Sequence, residues 1–372
     1  MIKLNIVSQR PIFAEDQVLF HDCHANTQVR LPSGDRLVAF WAGTSEGTPD
    51  QAIWLCRCSG GQWRAPIRIK AVYQLPHWNP VLFLHGNRIF LFYKVGLTVQ
   101  TWYTMVSWSD DGGESWSESV EAVPGDYTPR ASVRNKILTA SNGWWIAPTS
   151  SEVGTAMDSY ADISRDAGKT WEIHSIPMRH LPSGPLQPDR LWEGLKKGAL
   201  WENDLSVVGA WDGTIQPSMW ESEPGHIHAM MRSTRGRIYR SDSTDYGITW
   251  CDAYPTQLPN NCCGIDVARF EDGLLAVVYN PVGDNWGRRT PLSVALSMDN
   301  GVTFLEPLNL ETTEGEYSYP SVLVEGNCLH ILYTQNRRTF IECKVARTDV
   351  QAFYVPATRM ASEMGMDGLA NM

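Results

Sequence analysis

The chain has 372 residues, of which 43% are hydrophobic and 19% charged, with 30 Gly, 22 Pro, 16 Trp and a formal net charge of −10. Such a composition is globular, turn-rich and aromatic-rich, with no excess of helix formers. The acidic balance and the lack of a Lys/Arg-rich stretch argue against a nucleic-acid backbone binder. No apolar run is long enough to span a bilayer, and the opening Met1–Arg10 lacks the apolar core of a secretory signal, which predicts a cytoplasmic protein.

In chain order, Leu37-Val38-Ala39-Phe40-Trp41 is a continuous apolar run, as expected of a central strand buried on both faces. Cys58–Trp63 reads as a degenerate hairpin tip, and Ile89–Tyr93 as a second buried strand. Ser109-Asp110-Asp111-Gly112-Gly113-Glu114-Ser115-Trp116 follows, and Ser164–Trp171 repeats its pattern. Leu181 to Gly209 is irregular and contains a candidate short helix, Asp189–Lys197; long insertions between repeats often lie on the binding face. In His226–Arg232, Ile227, Ala229 and Met231 share one strand face, and His228, Met230 and Arg232 the other. Ser243–Trp250 is a third copy of the octet. Leu274–Tyr279 is another buried strand, and Ser297–Phe304 is a fourth copy.

The shared pattern is S-x-D-x-G-x-x-(W/F). A short Asp side chain closes a turn by accepting from backbone N–H groups a few residues on, Gly supplies a positive φ, and the aromatic packs the turn onto its sheet. The copies start at 109, 164, 243 and 297. A repeat of about 55 residues holds about four strands, the size of a propeller blade. The expected fold is all-β: a single six-bladed β-propeller over residues 1–372, seven blades being the fallback, with an inter-blade insertion at about 181–209. The eight cysteines form no CxxC pair, and Cys262-Cys263 are adjacent; buried free thiols are expected, with no metal site and no cofactor, since no phosphate-loop, dinucleotide or H-E-x-x-H motif is present.

The repeated hairpins resemble the Asp-box of the sialidase-like superfamily, and the chain looks like the predicted neuraminidases built from BNR repeats. Further landmarks are His24-Ala25-Asn26-Thr27, Ser45-Glu46-Gly47, Asn79-Pro80-Val81, Phe92-Tyr93-Lys94, Arg134-Asn135-Lys136, Gln216-Pro217-Ser218 and Tyr319-Pro320-Ser321. Together they cover most of the chain. The resemblance implies three arginines clamping a substrate carboxylate, a Tyr nucleophile activated by a Glu, and an Asp acid/base. Tyr319 matches the nucleophile, Arg232 the second arginine and, more loosely, Arg289 the third. Asp50 is the nearest match to the acid/base, with Glu46 in the same loop. Two positions depart: His24 stands where the first arginine is expected, and Gln216 where the Glu is. Lys94 and Arg134 are further candidates for substrate binding. The four box aspartates are structural rather than catalytic.

A phenol nucleophile needs a base to act near neutrality, which Gln216 cannot supply, whereas His24 brings a group that ordinarily titrates there. Three readings follow. The resemblance implies an exo-acting glycoside hydrolase on a carboxylate-bearing sugar. His24 and Gln216 fit a lyase or other acid/base enzyme on a uronate or small anionic substrate. A ring of Trp residues (Trp144, Trp145, Trp192, Trp201, Trp211, Trp220) with no acid/base pair would instead fit a non-catalytic glycan-binding propeller. The expected partner is a small oligosaccharide or other small anion, with neither nucleic acid nor membrane.

Overall fold

Strands with apolar residues on both faces must be covered on both sides. That requirement organises the computed structural model, which describes residues 2–71, 74–181 and 211–349. The fold is all-β: among the described residues the only helical element is a 3-10 turn at Glu15–Gln17, and no helix is long and apolar enough to cross a membrane.

The chain opens with β1 (Ile2–Pro11) and then forms six successive antiparallel units. The first comprises β2 (Asp22–Arg30), β3 (Arg36–Gly43) and β4 (Ala52–Ser59), with β5 (Gln62–Trp63) and β6 (Ile67–Lys70) both pairing β4. The second comprises β7 (His77–His85), β8 (Arg88–Val95), β9 (Tyr103–Ser109) and β10 (Val120–Glu121). The third comprises β11 (Leu138–Thr139), β12 (Trp145–Val153), β13 (Ala156–Ser164) and β14 (Glu172–Ile176). The fourth comprises β15 (Asp212–Glu223), β16 (His226–Ser233), β17 (Arg237–Ser243) and β18 (Tyr254–Pro259). A short parallel pairing, Ala156 with Asp212 and Met157 with Gly213, joins units three and four into one sheet. The fifth comprises β19 (Asp266–Arg269), β20 (Leu275–Tyr279), β21 (Leu292–Ser297) and β22 (Leu308–Glu311). The sixth comprises β23 (Tyr317–Glu325), β24 (Cys328–Gln335) and β25 (Thr339–Asp349); β1 is its fourth strand, antiparallel to β25 from Ile2 opposite Asp349 to Pro11 opposite Ile341.

The apolar runs bury both faces, as expected. Leu37, Ala39 and Trp41 of β3 pack with Leu82, Leu91 and Tyr93 of the second unit. Val38, Phe40 and Ala42 face the other way, into Leu332 and Phe340 of the sixth. On β20, Leu275 and Val277 pack with unit four, whereas Ala276 and Val278 pack with unit six. Burial of such a side chain contributes about 1.5–3 kcal/mol, so the contacts between sheets dominate the stability.

The four octets occupy one structural place. Ser109, Ser164, Ser243 and Ser297 are the last residues of β9, β13, β17 and β21, and each turn leads to its unit's outer strand. In the second, Asp166 accepts from Lys169 N (3.1 Å), Thr170 N (2.9 Å) and Thr170 Oγ1 (2.7 Å), while Ser164 Oγ accepts from Gly168 N at 2.7 Å. The glycines let the turns press on the preceding unit. A Cβ on Gly113 would lie 2.7 Å from Leu37, and one on Gly301 2.9 Å from Met230.

Apart from Leu181, the expected insertion at 181–209 and its helix lie outside the described residues. All eight cysteines are free thiols; six are buried as expected, but Cys251 is exposed and Cys328 half-buried.

A second repeat appears in the backbone. Non-glycine residues with left-handed backbone lie in or ahead of the first strand of every unit: Ala25, Asn79, Ala131, Gln216, Cys262 and Tyr319, with φ between 37° and 59°, and in the second unit Gln74 as well, three residues before β7. At Ala25, Asn79, Gln216 and Tyr319 the register of β2, β7, β15 and β23 slips, forming a bulge. Each such residue costs about 1–3 kcal/mol, and strain of this kind gathers at functional sites.

Candidate active site

Three of the six strained positions supply site residues. Tyr319, half-buried at the bulge of β23, is the centre. The ring of His24, next to Ala25, lies 4.0 Å from that of Tyr319, and the Asn26 amide donates to the Tyr319 carbonyl at 2.8 Å. Gln216, at the bulge of β15, accepts from Arg232 Nη1 at 3.1 Å, and the same nitrogen donates to the Tyr319 hydroxyl at 2.5 Å. Arg232 projects from β16 on the face that alternation assigned to it.

Three guanidiniums surround the Tyr319 ring, with Arg134, Arg289 and Arg232 at 4.9, 5.5 and 5.6 Å from its centroid. They are not equivalent. Arg289 is ion-paired with buried Glu316, which also holds Arg337 at 3.1 Å, and Arg337 reaches Glu46. Arg134 and Arg232 make no ion pair among the described residues. Arg134 donates to the Pro320 carbonyl at 2.8 Å and to the Asn135 side chain. Arg232 contacts Gln216, Tyr319 and, at 3.8 Å, the Cys262 sulfur. The Nε atoms of both are buried without a hydrogen-bond partner among the described residues. Two buried cations with no ion pair of their own among the described residues favour an anion.

The structure corrects the expectation that His24 titrates near neutrality. Burial, reinforced by the positive charges of Arg337, Arg289, Arg134 and Arg232, holds its imidazole well below the usual histidine range. His24 is therefore a neutral ring, with Nδ1 2.8 Å from Thr334 Oγ1 and Nε2 buried without a partner among the described residues.

Of the other expected residues, Asp50 is exposed and ties its own loop, accepting from Thr44 N (2.9 Å) and Thr44 Oγ1 (2.8 Å). Slight burial works against ionisation there, but hydrogen bonds from Thr48 and Thr44 hold the carboxyl below its usual range. Glu46, in the same loop, connects to the cluster through Arg337. Lys94 is fully buried; its ammonium donates to the Ser132 carbonyl at 2.5 Å, and burial lowers its pKa to about 7. Trp145 and Trp220 are core residues, Trp144 packs on Tyr246, Trp211 is half-buried against Met157 and Ile215, and Trp192 and Trp201 lie outside the described residues.

Glu152 is a carboxylate that the sequence reading missed. It sits half-buried near the end of β12. Burial pushes its carboxyl above the usual range, Arg232 pulls it back and Glu46 pushes it up again. Glu152 also lines a cavity of about 340 Å³ shared with Trp102, Tyr127 and Tyr160. No motif marks Glu152, which follows Thr149-Ser150-Ser151 as the penultimate residue of β12.

The pattern of the BNR repeat-like domain matches residues 35–331. The chain belongs to that family. No curated protein sequence matches it. Among solved structures, it is similar to the Hadza microbial sialidase Hz136, with 18% identity and a TM-score of 0.67 over 90% of this chain and 68% of the other. A protein of unknown function from Dyadobacter fermentans matches with 15% identity and a TM-score of 0.67, over 92% of this chain and 99% of the other. Trypanosoma rangeli sialidase, solved with sialic acid, matches with 15% identity and a TM-score of 0.62, over 92% of this chain and 58% of the other. The BNR-repeat chain therefore has a sialidase-like fold.

Proposed function

We propose that the six units are the blades of a closed six-bladed propeller forming one domain, with the Tyr319 cluster at its axis. Three observations support this: a residue of left-handed backbone in or ahead of the first strand of every unit, four of them at bulges, the packing of β3 of the first unit on the sixth, and the completion of the sixth by β1.

On this fold we infer a sialidase-like glycoside hydrolase that removes a terminal carboxylate-bearing sugar from a small oligosaccharide, with no cofactor. The observation that carries the reading is the pair of guanidiniums, Arg134 and Arg232, that face Tyr319 without a carboxylate of their own. They hold the substrate carboxylate, Arg289 being already neutralised by Glu316. Tyr319, its phenol proton passing to the neutral His24 ring beside it, attacks the anomeric carbon, where a phenol avoids the repulsion that a carboxylate nucleophile would meet from the substrate's own charge. Glu152, whose carboxyl burial pushes above its usual range, gives its proton to the leaving oxygen; water then replaces Tyr319 on the anomeric carbon, its proton going to Glu152 while the departing phenolate takes its own back from His24. The cavity lined by Trp102, Tyr127 and Tyr160 takes the remainder of the substrate. A panel of sialosides and uronides, monitored for reducing ends and ultraviolet absorbance together, tests this. Reducing ends without new absorbance are expected.

Elimination is the second reading, favoured by the neutral His24 ring tilted against Tyr319 at 4.0 Å and by the neutral Gln216. There the arginines acidify the C–H beside a uronate carboxylate, and His24 or Tyr319 takes the proton. In the same panel, new absorbance accompanying cleavage selects it.

A further inference from the structure

The fourth unit carries a second constellation, remote in sequence from Tyr319 and independent of the reading given to that cluster. Ser222 Oγ lies 2.7 Å from His228 Nε2, and His228 Nδ1 lies 2.5 Å from Asp242 Oδ1. These are nucleophile–base and base–orienter contacts within hydrogen-bonding reach. Three adjacent strands build them. His228 on β16 is directly opposite Asp242 on β17. On β15 the register slips between Glu221 and Glu223, leaving Ser222 as the extra, unpaired residue of a bulge. Bulges re-aim side chains, and this one turns Ser222 onto the imidazole.

The hydrogen bonds define the tautomer. Ionised Asp242, 2.5 Å from Nδ1, only accepts, so Nδ1 carries the proton, and Arg240 Nη2, 3.1 Å from the same nitrogen, donates instead to Asp242 at 2.9 Å. The carboxylate also accepts from Arg240 Nε at 2.9 Å and the Tyr254 hydroxyl at 2.5 Å. Although its burial opposes ionisation, the bonds from His228, Tyr254 and Arg240 lower its pKa to about 2. Nε2 is then a lone-pair acceptor facing Ser222. The His228 ring itself is clamped by stacking on Trp220 at 5.2 Å.

A donor stands beside the pair. Trp220 Nε1 can only donate, and it donates to Asn300 Oδ1 at 2.7 Å, which fixes the amide orientation. Asn300 Nδ2 therefore points at His228 Nε2, 3.0 Å away. Asn300 belongs to the fourth octet turn, so that turn delivers a side chain as well as closing a hairpin. The constellation opens on a cavity of about 420 Å³ whose lining includes Ser222, Asn300, Leu274, Met298, Arg269 and Arg347.

We propose that Ser222, His228 and Asp242 form an acyl-transfer site for a short-chain ester of a polar alcohol. Ser222 Oγ bonds to the ester carbonyl carbon as its proton passes to His228 Nε2. With Nε2 protonated, the Asn300 N–H loses its acceptor and is released toward the oxyanion that has just formed. The acyl–oxygen bond to the alcohol breaks, and the departing oxygen takes the proton from Nε2. Water then attacks the acyl-serine, its proton going to Nε2 and on to Ser222, which releases a carboxylic acid and restores the site. Leu274 and Met298 suit the acyl chain, and Arg269 and Arg347 a polar alcohol.

The test begins with the unmodified protein, treated with a fluorophosphonate probe and mapped by peptide mass spectrometry, so that it does not depend on a variant folding. Stoichiometric labelling of Ser222 is expected. 4-Nitrophenyl acetate hydrolysis should fall at least about a hundred-fold in Ser222→Ala and at least about ten-fold in Asp242→Asn. Absence of label, label on another residue, or unchanged hydrolysis by Ser222→Ala would overturn the assignment.

Discussion

Arg232→Ala and Arg289→Ala remove the same group from beside Tyr319, yet they should fail differently. Arg232 is buried and bonded to the Tyr319 hydroxyl at 2.5 Å and to Gln216 at 3.1 Å, with no ion pair among the described residues. Its loss breaks no ion pair among the described residues of the free protein, but it deletes a charge-assisted contact to the ligand. Such contacts contribute about 1.5–3 kcal/mol, or roughly ten-fold to more than a hundred-fold in Kd. Arg289 is paired with Glu316, which is only 4% exposed. Breaking a buried pair from one side costs about 3–5 kcal/mol of stability. The figure should sit at the low end, because Arg337 still holds the other Glu316 oxygen at 3.1 Å. Calorimetric titration with free sialic acid or a uronic acid gives the first quantity, and urea denaturation the second. Arg232→Ala and Arg134→Ala should lose affinity while folding normally, whereas Arg289→Ala should lose stability first. An Arg232→Ala protein with unchanged Kd, or an Arg289→Ala protein that binds weakly at undiminished stability, would refute the division between clamp and scaffold.

Gln216→Glu places a carboxylate 3.1 Å from Arg232, where the resemblance expects the activating Glu; fluorogenic sialoside hydrolysis should rise, and no gain would mean that Gln216 does not mark the missing base. Asp245→Ala removes the acceptor for Thr249 N (2.8 Å) and Thr249 Oγ1 (2.6 Å) and should cost about 1–2 kcal/mol in urea denaturation, with activity per folded molecule unchanged. Lys94 has a folded pKa of about 7, below its unfolded value near 10.5, so the unfolded chain holds more protons across that window and stability rises with pH through it. Lys94→Met should remove that contribution, at most about 1.4 kcal/mol per pH unit; identical pH slopes for the two proteins would show that Lys94 keeps its proton.

Much of the fold was legible because its cause is local. An Asp, a Gly and an aromatic at fixed offsets close the same turn wherever they occur, so four octets announced the repeating unit without reference to the rest of the chain. Apolar runs such as Leu37–Trp41 announced strands covered on both faces. The site was less legible because its chemistry depends on partners hundreds of residues away. His24 looked like a group titrating near neutrality; only its burial among four arginines makes it neutral. Arg289 looked equivalent to Arg232 until Glu316 neutralised it. Glu152 carried no motif, and Asp50 matched one but spends its carboxylate on Thr44.

The residues that resemble sialidase landmarks turn out to share one backbone event. Ala25, Asn79, Gln216 and Tyr319 fall inside quoted phrases, and each is a non-glycine residue held at positive φ where a first strand slips register. A reader of sequence sees unrelated dipeptides, Ala-Asn, Asn-Pro, Gln-Pro and Tyr-Pro, because a bulge constrains the backbone rather than the side chain. The octets behave oppositely: their turn is made by side chains, so their sequence repeats. The same chain therefore carries a visible repeat that builds the scaffold and a nearly invisible one that builds the site. Because the bulge leaves side-chain identity free, one position can hold a Tyr and the equivalent position a Gln without disturbing the fold. Departures from the sialidase pattern at His24 and Gln216 are thus changes in chemistry on an intact frame, and substitutions confined to those two positions should alter the reaction while leaving the packing between the units untouched.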